Sequence, residues 1–175
     1  ILCQCLMWEW GTKVTKEEVY DFIKSKNIWY EITKHKRVFT MDELDNIVLP
    51  YPASDAKNLF IRDDKKRNYY LITVSGKKKV DLSAFREKYN TRRLSFASEK
   101  DLMEILKLTP GSVTPLGLLN DKENLVKYYL DSYFINKCDI IGMHPCDNSA
   151  TLWLKTTDLI SILKENGTTV NIVDL

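Results

Sequence analysis

The chain has 175 residues, of which 44% are apolar and 29% are charged. This is the composition of one globular domain, and six glycines are too few for a collagen-like, linker-like or low-complexity protein. Basic and acidic residues number 26 and 24, so a net charge of +2 neither requires nor excludes a nucleic-acid partner. No apolar run approaches the roughly 18 residues of a membrane-spanning helix.

The N-terminal segment, residues 1–12, is apolar without periodicity and lacks the basic flank of a signal peptide. We interpret it as a leader or as the cut end of a longer chain. Residues 13–175 show no internal repeat and no interior linker. They are therefore predicted to form a single domain.

Four cysteines, Cys3, Cys5, Cys138 and Cys146, lack the usual spacing of zinc ligands. Free thiols in a reducing compartment are the simpler interpretation and favour the cytoplasm. A metal site using His144 and Cys146 is the alternative, but no second ligand pair accompanies them. We expect neither a metal nor another cofactor.

Capping boxes mark two helices in the first part of the chain. Thr15 and Glu18 begin the segment TKEEVYDFIKSKN, and Thr40 and Glu43 begin a short helix through MDELDNIV that LPYP ends. Between these helices, IWYEITKH predicts a strand.

The middle of the chain predicts a strand pair, a helix, a strand and a second helix. KNLFIRD and NYYLITV are apolar strands around a charged turn. Asp81 caps a helix in VDLSAFREKYN, RRLSFAS predicts a strand, and Ser98 caps EKDLMEILK. The glycine and prolines of LTPGSVTPLG predict a loop.

The last part of the chain alternates strands and helices. NLVKYYL predicts a strand, SYFINK a short helix, and DIIG and ATLWLK two strands around the loop MHPCDNS. A helix in TTDLISILKENG ends at Gly167, and TTVNIVDL predicts a closing strand. Together the elements predict a mixed α/β (α+β) fold with a curved, mostly antiparallel sheet or barrel flanked by helices.

Catalytic signatures of the common enzyme classes are absent from the sequence. It contains no phosphate-binding loop, dinucleotide fingerprint, zinc-protease motif or nucleophile elbow. There are two histidines, which leaves little for a nucleophilic triad. His35 reads as a solvated turn residue. His144 lies in a polar loop, where it either stabilises the turn or contacts a substrate.

Three polar segments border apolar strands: Lys57–Asn58, Gly111–Pro115 and Gly142–Pro145. In a compact sheet they could meet at one end. A lysine, an amide side chain and backbone N–H groups of glycine-containing turns would form an anion or oxyanion site. Taken singly, a lysine such as Lys57 is more often a solvent-facing residue at a strand end.

The segments KNLFIRD, RRLSFASEKDLMEILKLTPGSVTPLGLLND and GMHPCDNSATLWL resemble the YbaK-like aminoacyl-tRNA editing family, particularly its free-standing prolyl-tRNA deacylases of the ProX type. The resemblance extends from about Val14 to Leu175. It implies an editing-domain fold and hydrolysis of tRNA(Pro) that carries a smaller amino acid. An apolar pocket gains only about 1–3 kcal/mol of binding free energy per methylene, so it separates proline poorly from the smaller alanine. A second site that admits only the smaller product can remove the error. The Lys57–Asn58 pair matches members that prefer alanyl-tRNA(Pro).

The same resemblance implies roles for individual residues. Lys57 would bind near the aminoacylated 3′ end, and Asn58 would fix the aminoacyl group or water. The pocket wall and lining would comprise Gly111, Ser112, Val113, Thr114, Pro115, Gly142, His144 and Pro145. Water would attack the ester without a metal, aided by preorganised donors and by a hydroxyl of the terminal ribose.

Basic residues are the candidates for contact with the acceptor end of tRNA(Pro). They are Arg92, Arg93, Lys77, Lys78 and Lys79. For the lysines, a solvated surface is an equal alternative.

Three other functions remain open at this point: a cysteinyl-tRNA(Pro) deacylase, a non-catalytic tRNA-binding domain of a prolyl-tRNA synthetase, and a regulatory protein that binds a free amino acid. Cysteine specificity would differ only in pocket size. Lys57 and the two loops are intact, which favours activity over the two non-catalytic alternatives. The intact residues do not distinguish a free-standing enzyme from a domain fused to the synthetase. They do not show either whether a free-standing enzyme would associate with the synthetase.

Overall fold

A computed structural model describes residues 14–37 and 47–175. The helix predicted from Thr40 and Glu43 lies outside these residues, as do segment 1–12 and the first two cysteines. Across the two described ranges, no helix combines the length and apolar character needed to cross a membrane.

Within the described residues, helices and strands follow the order predicted from the sequence. The helices are α1 (Lys16–Ser25), α2 (Leu82–Lys88), α3 (Glu99–Asp101), α4 (Tyr133–Asn136) and α5 (Thr156–Glu165). The strands are β1 (Tyr30–Lys34), β2 (Ala56–Asp63), β3 (Tyr69–Ser75), β4 (Leu94–Phe96), β5 (Val126–Asp131), β6 (Ile140–Met143), β7 (Ala150–Lys155) and β8 (Val170–Val173). Short 3-10 helices cover Pro52–Ser54 and Pro115–Asn120, and a π-helical turn covers Leu102–Leu106.

Side-chain caps set the helix boundaries where the sequence predicts them. The backbone N–H of Glu18 donates to the Thr15 hydroxyl at 3.2 Å, and the Thr15 N–H donates to the Glu18 carboxylate at 2.7 Å. Asp81 and Ser98 cap α2 and α3. Gly167 follows the end of α5 with a φ of +90°.

One predicted helix changes its winding. After the three residues of α3 the chain forms the π-helical turn, which buries Leu102 and Leu106 together. The amide of Asn120 donates to the carbonyl of Leu106 at 2.9 Å, which satisfies a backbone acceptor at the end of this turn. The π-helical turn thus places two leucine side chains in the core, although it interrupts the regular α-helical winding.

The strands form two sheets. One has five strands in the order β4-β2-β3-β5-β8, and the other has three in the order β1-β7-β6. Strand β3 pairs with β5, and β5 with β8, in parallel, whereas the other strand pairs are antiparallel. The mixed α/β fold is confirmed, and the described strands form two open sheets rather than a closed barrel. A parallel bridge between Asp55 and Gly142 connects the start of β2 to β6.

Both faces of the five-stranded sheet are covered. Successive residues of a strand point to opposite faces. Phe60 and Leu71 therefore join the main core cluster, whereas Ile61 and Tyr70 join a second cluster with Phe85 of α2. This double burial fixes β2 and β3 firmly, and the Lys57–Asn58 pair lies at the beginning of β2.

Candidate active site

Lys57 is held by the turn that follows β3. It lies opposite Val74 in the β2–β3 ladder and is half-buried. Its Nζ donates a hydrogen bond to the backbone carbonyl of Lys78 at 3.1 Å. This contact sets Lys57 apart from a freely solvated strand-end lysine and gives its ammonium group a defined position.

Asn58 is oriented by a buried neighbour that the sequence does not reveal. It pairs with Thr73 across the ladder, and the Thr73 hydroxyl donates to Asn58 Oδ1 at 2.7 Å. Thr73 is fully buried. Because the amide oxygen is engaged within the sheet, Nδ2 is the group that can donate to a substrate carbonyl or to water.

The three lysines of the turn after β3 have different surroundings. Lys78 Nζ lies 2.8 Å from Asp131 Oδ2, and the Asp131 side chain is 1% exposed. Lys77 and Lys79 face solvent. The structure therefore separates Lys78 from its two neighbours, although all three are predicted as one tRNA-contacting group.

Gly142 allows a close approach between β6 and β7. It pairs with Trp153, and a Cβ atom at this position would lie 2.3 Å from Trp153 Cζ3. Trp153 is fully buried, and its indole N–H donates to the Thr33 hydroxyl at 2.9 Å. The ring has little freedom to move, so the position requires glycine.

Asp55, two residues before Lys57, is a buried carboxyl group. Burial raises its pKa to about 7, and the backbone N–H of Ala56 opposes that rise. Its backbone forms the bridge to Gly142. The two segments that carry the predicted site residues Lys57 and Gly142 therefore lie beside each other in the fold.

The two histidines face each other, with ring centroids 6.3 Å apart. The Nδ1–H of His144 donates to the carbonyl of Ala150 at 3.1 Å, and burial lowers the pKa of His144. The neutral ring thus uses one nitrogen to brace the β6–β7 loop. His35 is half-buried, and its Nε2 lies 3.0 Å from the Thr151 hydroxyl, so its interpretation as a solvated turn residue is wrong.

The loop from Gly111 to Pro115 is braced from within. Gly111 has a φ of +82°. The Ser112 hydroxyl donates to the Thr109 carbonyl at 2.8 Å, and Thr114 caps the 3-10 helix that begins at Pro115. Val113 packs on the main core cluster, as Ala56 does at the start of β2. Ala56 directly precedes Lys57 in β2, but successive residues of a strand point to opposite faces, so the Lys57 side chain lies on the other face of the sheet.

The predicted arginines occupy the far end of the β2–β3 pair. Arg92 forms two hydrogen bonds with Asp64, at 2.5 and 2.9 Å. This pairing lowers the pKa of Asp64 and raises that of Arg92. Arg93 is exposed.

The free thiols of Cys138 and Cys146 differ in surroundings, and burial raises the pKa of the Cys146 thiol. In the part of the chain that the structure describes, no three His, Cys, Asp or Glu side chains converge as metal ligands.

The family model for the aminoacyl-tRNA editing domain matches residues 35–162, and the chain belongs to this family. The family predicted from the sequence motifs is therefore confirmed.

Relatives with assigned names cover most of the chain. It is 37% identical over 160 residues to the prolyl-tRNA editing protein ProX of Acetoanaerobium sticklandii, covering 91% of this chain and 97% of that protein. It is 34% identical to the prolyl-tRNA synthetase associated domain-containing protein 1 of Mus musculus, covering 78% of this chain and 82% of the relative. The solved structure of a candidate trans-editing enzyme for prolyl-tRNA synthetase matches with a TM-score of 0.62 at 20% identity, over 83% of this chain and 87% of that one. That likeness shows a shared fold.

Proposed function

We propose that the protein hydrolyses the aminoacyl ester of mischarged tRNA(Pro), with alanyl-tRNA(Pro) as the preferred substrate. One observation carries the proposal: Lys57 and Asn58 lie side by side at the start of β2, each held by a hydrogen bond, in a chain 37% identical to a prolyl-tRNA editing protein. The Lys57 ammonium and the Asn58 amide, on the two faces of β2, are fixed donors at the start of the strand, where an anionic, ester-bearing 3′ end could meet both.

The reaction is the attack of water on the ester carbonyl. A bond forms from the water oxygen to the carbonyl carbon, the ester C–O bond breaks, and the terminal ribose oxygen receives a proton. Negative charge grows on the carbonyl oxygen, and a single preorganised donor there typically contributes about 100- to 1,000-fold in rate. Asn58 Nδ2 is our candidate for this donor, while Lys57 contacts the terminal phosphate or the ester region.

The remaining predicted residues form the pocket. The Gly111–Pro115 loop provides a wall, Gly142 and Pro145 provide the lining, and neutral His144 holds the shape of the β6–β7 loop. A small pocket would exclude prolyl-tRNA(Pro) by size and admit the alanyl ester. His144 acts here in shaping the pocket, not as the general base.

The partner is the acceptor end of tRNA(Pro). Exposed Lys77, Lys79 and Arg93 are available for phosphate contacts, whereas Arg92 must exchange Asp64 for a phosphate. We further propose that the protein acts beside prolyl-tRNA synthetase in the cytoplasm, since the name of the mouse relative associates that protein with the synthetase.

Deacylation assays with alanyl-, cysteinyl- and prolyl-tRNA(Pro) test the proposal. Lys57→Ala is the variant, and Lys122→Ala is its control because Lys122 is an exposed lysine in a distant loop. We expect rapid release of alanine alone, a loss of about 100-fold or more in Lys57→Ala, and no change in the control.

Two results would overturn parts of this proposal. Release of cysteine alone would remove the assigned specificity and keep the ester hydrolysis. Retention of all three esters, with tRNA still bound, would make the protein a non-catalytic tRNA-binding domain.

A further inference from the structure

We propose that Lys78 and Asp131 are positioning residues that hold Lys57 in its working place, and that the Lys78 ammonium is not a tRNA contact. The inference rests on the proposed function of Lys57. It rests equally on the contacts that surround this lysine, which run from the turn after β3 to the end of β5.

The first step is the acceptor of the Lys57 hydrogen bond. That acceptor is the backbone carbonyl of Lys78, at 3.1 Å from Nζ, so the lysine is placed only as well as the turn is placed. The turn is tied at its start, because the Gly76 N–H donates to the Asp55 carbonyl at 2.9 Å. The Lys78 N–H donates to the Ser75 carbonyl at 2.9 Å, which closes the turn.

The second step is the anchor of the turn. The Lys78 side chain reaches Asp131 at 2.8 Å, and the Asp131 side chain is almost fully buried at 1% exposure. A buried carboxylate without its cation is strongly destabilised, so Lys78 is held there more firmly than a surface lysine would be. An ammonium group committed to Asp131 is a poor candidate for binding a phosphate.

The third step is a second connection from the same carboxylate. Asp131 Oδ1 accepts a hydrogen bond from the Tyr133 N–H at 3.1 Å. The Tyr133 hydroxyl donates to the Ala53 carbonyl at 3.1 Å, within the 3-10 helix that leads into β2. Through Tyr133, Asp131 therefore braces the segment that precedes Lys57. Through Lys78, it also braces the turn whose carbonyl accepts the Lys57 hydrogen bond.

Asp131→Asn is the main test, because asparagine keeps the shape and removes the charge that holds Lys78. We expect kcat for alanyl-tRNA(Pro) to fall about 10- to 100-fold with KM little changed, since a displacement of about 1 Å can cost that much. Reductive methylation followed by mass spectrometry should show faster labelling of Lys57. That second readout does not depend on catalysis.

Matched variants separate positioning from tRNA binding. Asp139→Asn removes the same charge from an exposed position and should leave kcat and Lys57 labelling at wild-type levels. Lys78→Arg keeps the ion pair and should restore most of the kcat that Lys78→Ala loses. Lys77→Ala, in the same turn, should raise KM and weaken its salt dependence while kcat stays constant.

Loss of folding must be distinguished from loss of position. Lys78→Met combined with Asp131→Leu removes both charges and leaves no buried ion unpaired, so this variant should fold. We expect it to show the low kcat and the fast Lys57 labelling of Asp131→Asn.

Unchanged Lys57 labelling in Asp131→Asn and in the double variant would overturn the inference. So would a Lys78→Ala variant that behaves as Lys77→Ala does, with higher KM and normal kcat. Faster labelling in a protein whose wild type hydrolyses none of the three esters would support the positioning role and reject the proposed function.

Discussion

Asp55 occupies an unusual place for a carboxyl group, at the point where β2 is bridged to β6 at Gly142. It is 7% exposed, and burial raises its pKa from 3.8 to about 7. Desolvation penalises the charged form, and the single backbone N–H of Ala56 does not offset it. This carboxyl group, two residues before Lys57, is therefore neutral in mildly acidic solution and charged in mildly basic solution.

This shift predicts a pH dependence of stability. Between pH 3.8 and about 7, Asp55 is protonated in the folded protein and ionised in the unfolded chain. The contribution to the free energy of unfolding is complete below the unfolded pKa and is lost as pH rises through the folded one. The loss is up to about 4 kcal/mol, since one pKa unit corresponds to about 1.4 kcal/mol.

Urea unfolding of Asp55→Asn beside the wild type, from pH 5 to pH 8.5, measures this contribution. The wild type should lose stability relative to the variant as pH rises. His144, whose pKa is lowered by burial, contributes in the opposite direction and is common to both proteins, so the difference isolates Asp55. A difference that is constant across this range would contradict the burial argument.

Motif residues and their supports differ in how far the sequence predicts them. Lys57 and Asn58 can be found because they are neighbours in a motif at a strand end. Their supports cannot, because Thr73 lies 15 residues from Asn58, and Asp131 lies 53 residues from Lys78. A buried polar partner is defined by strand pairing, and no local pattern encodes it. An aspartate directly after an apolar strand, as at Asp131, is the only signal.

At the scale of elements, the pairing of β6 with β7 requires glycine at position 142. Gly142→Ala would place a methyl group 2.3 Å from a ring carbon of Trp153. Overpacking of this kind typically costs about 1–3 kcal/mol, and we expect a loss in that range in urea unfolding. Activity should fall as well, because Gly142 is bridged to Asp55.

A double-mutant cycle with Trp153→Phe checks the cause. Phenylalanine lacks the ring atoms that the new methyl group would meet, although it also loses the hydrogen bond to Thr33. The two substitutions together should cost less than the sum of their separate effects. Simple additivity would show that the loss in Gly142→Ala comes from something other than the indole ring.

Element boundaries are more predictable than element pairing. Caps such as Thr15, Asp81 and Ser98 are local, and each is found where the sequence predicts it. The parallel pairing of β3 with β5 and of β5 with β8 is not predicted, because hairpin patterns indicate only neighbouring strands. The expected mostly antiparallel sheet or barrel is accordingly two sheets, one of them mixed.

For the molecule as a whole, a net charge of +2 implies that the proposed binding of tRNA depends on local basic residues. Lys77, Lys79 and Arg93 are exposed and available. Substituting all three by alanine should raise KM for tRNA. It should also reduce the slope of log K against log salt by about 0.7–0.9 for each phosphate that the variant no longer neutralises.

Filter binding between low and moderate salt measures that slope. Lys137→Ala combined with Lys122→Ala and Lys164→Ala is a control that removes three other exposed lysines. An equal change of slope in the control would show that binding follows total charge and that the three predicted positions have no special role.

Strand β8 has a consequence for how copies of the protein meet one another. It pairs in parallel with β5, so that Asp131 lies opposite Val173, and the Ser132 N–H donates to the Val173 carbonyl at 2.7 Å. Pairing with β8 therefore covers the edge of β5 that β3 leaves open. Because unpaired edges recruit strands of other molecules, fraying of β8 would expose a site for association between copies of the protein.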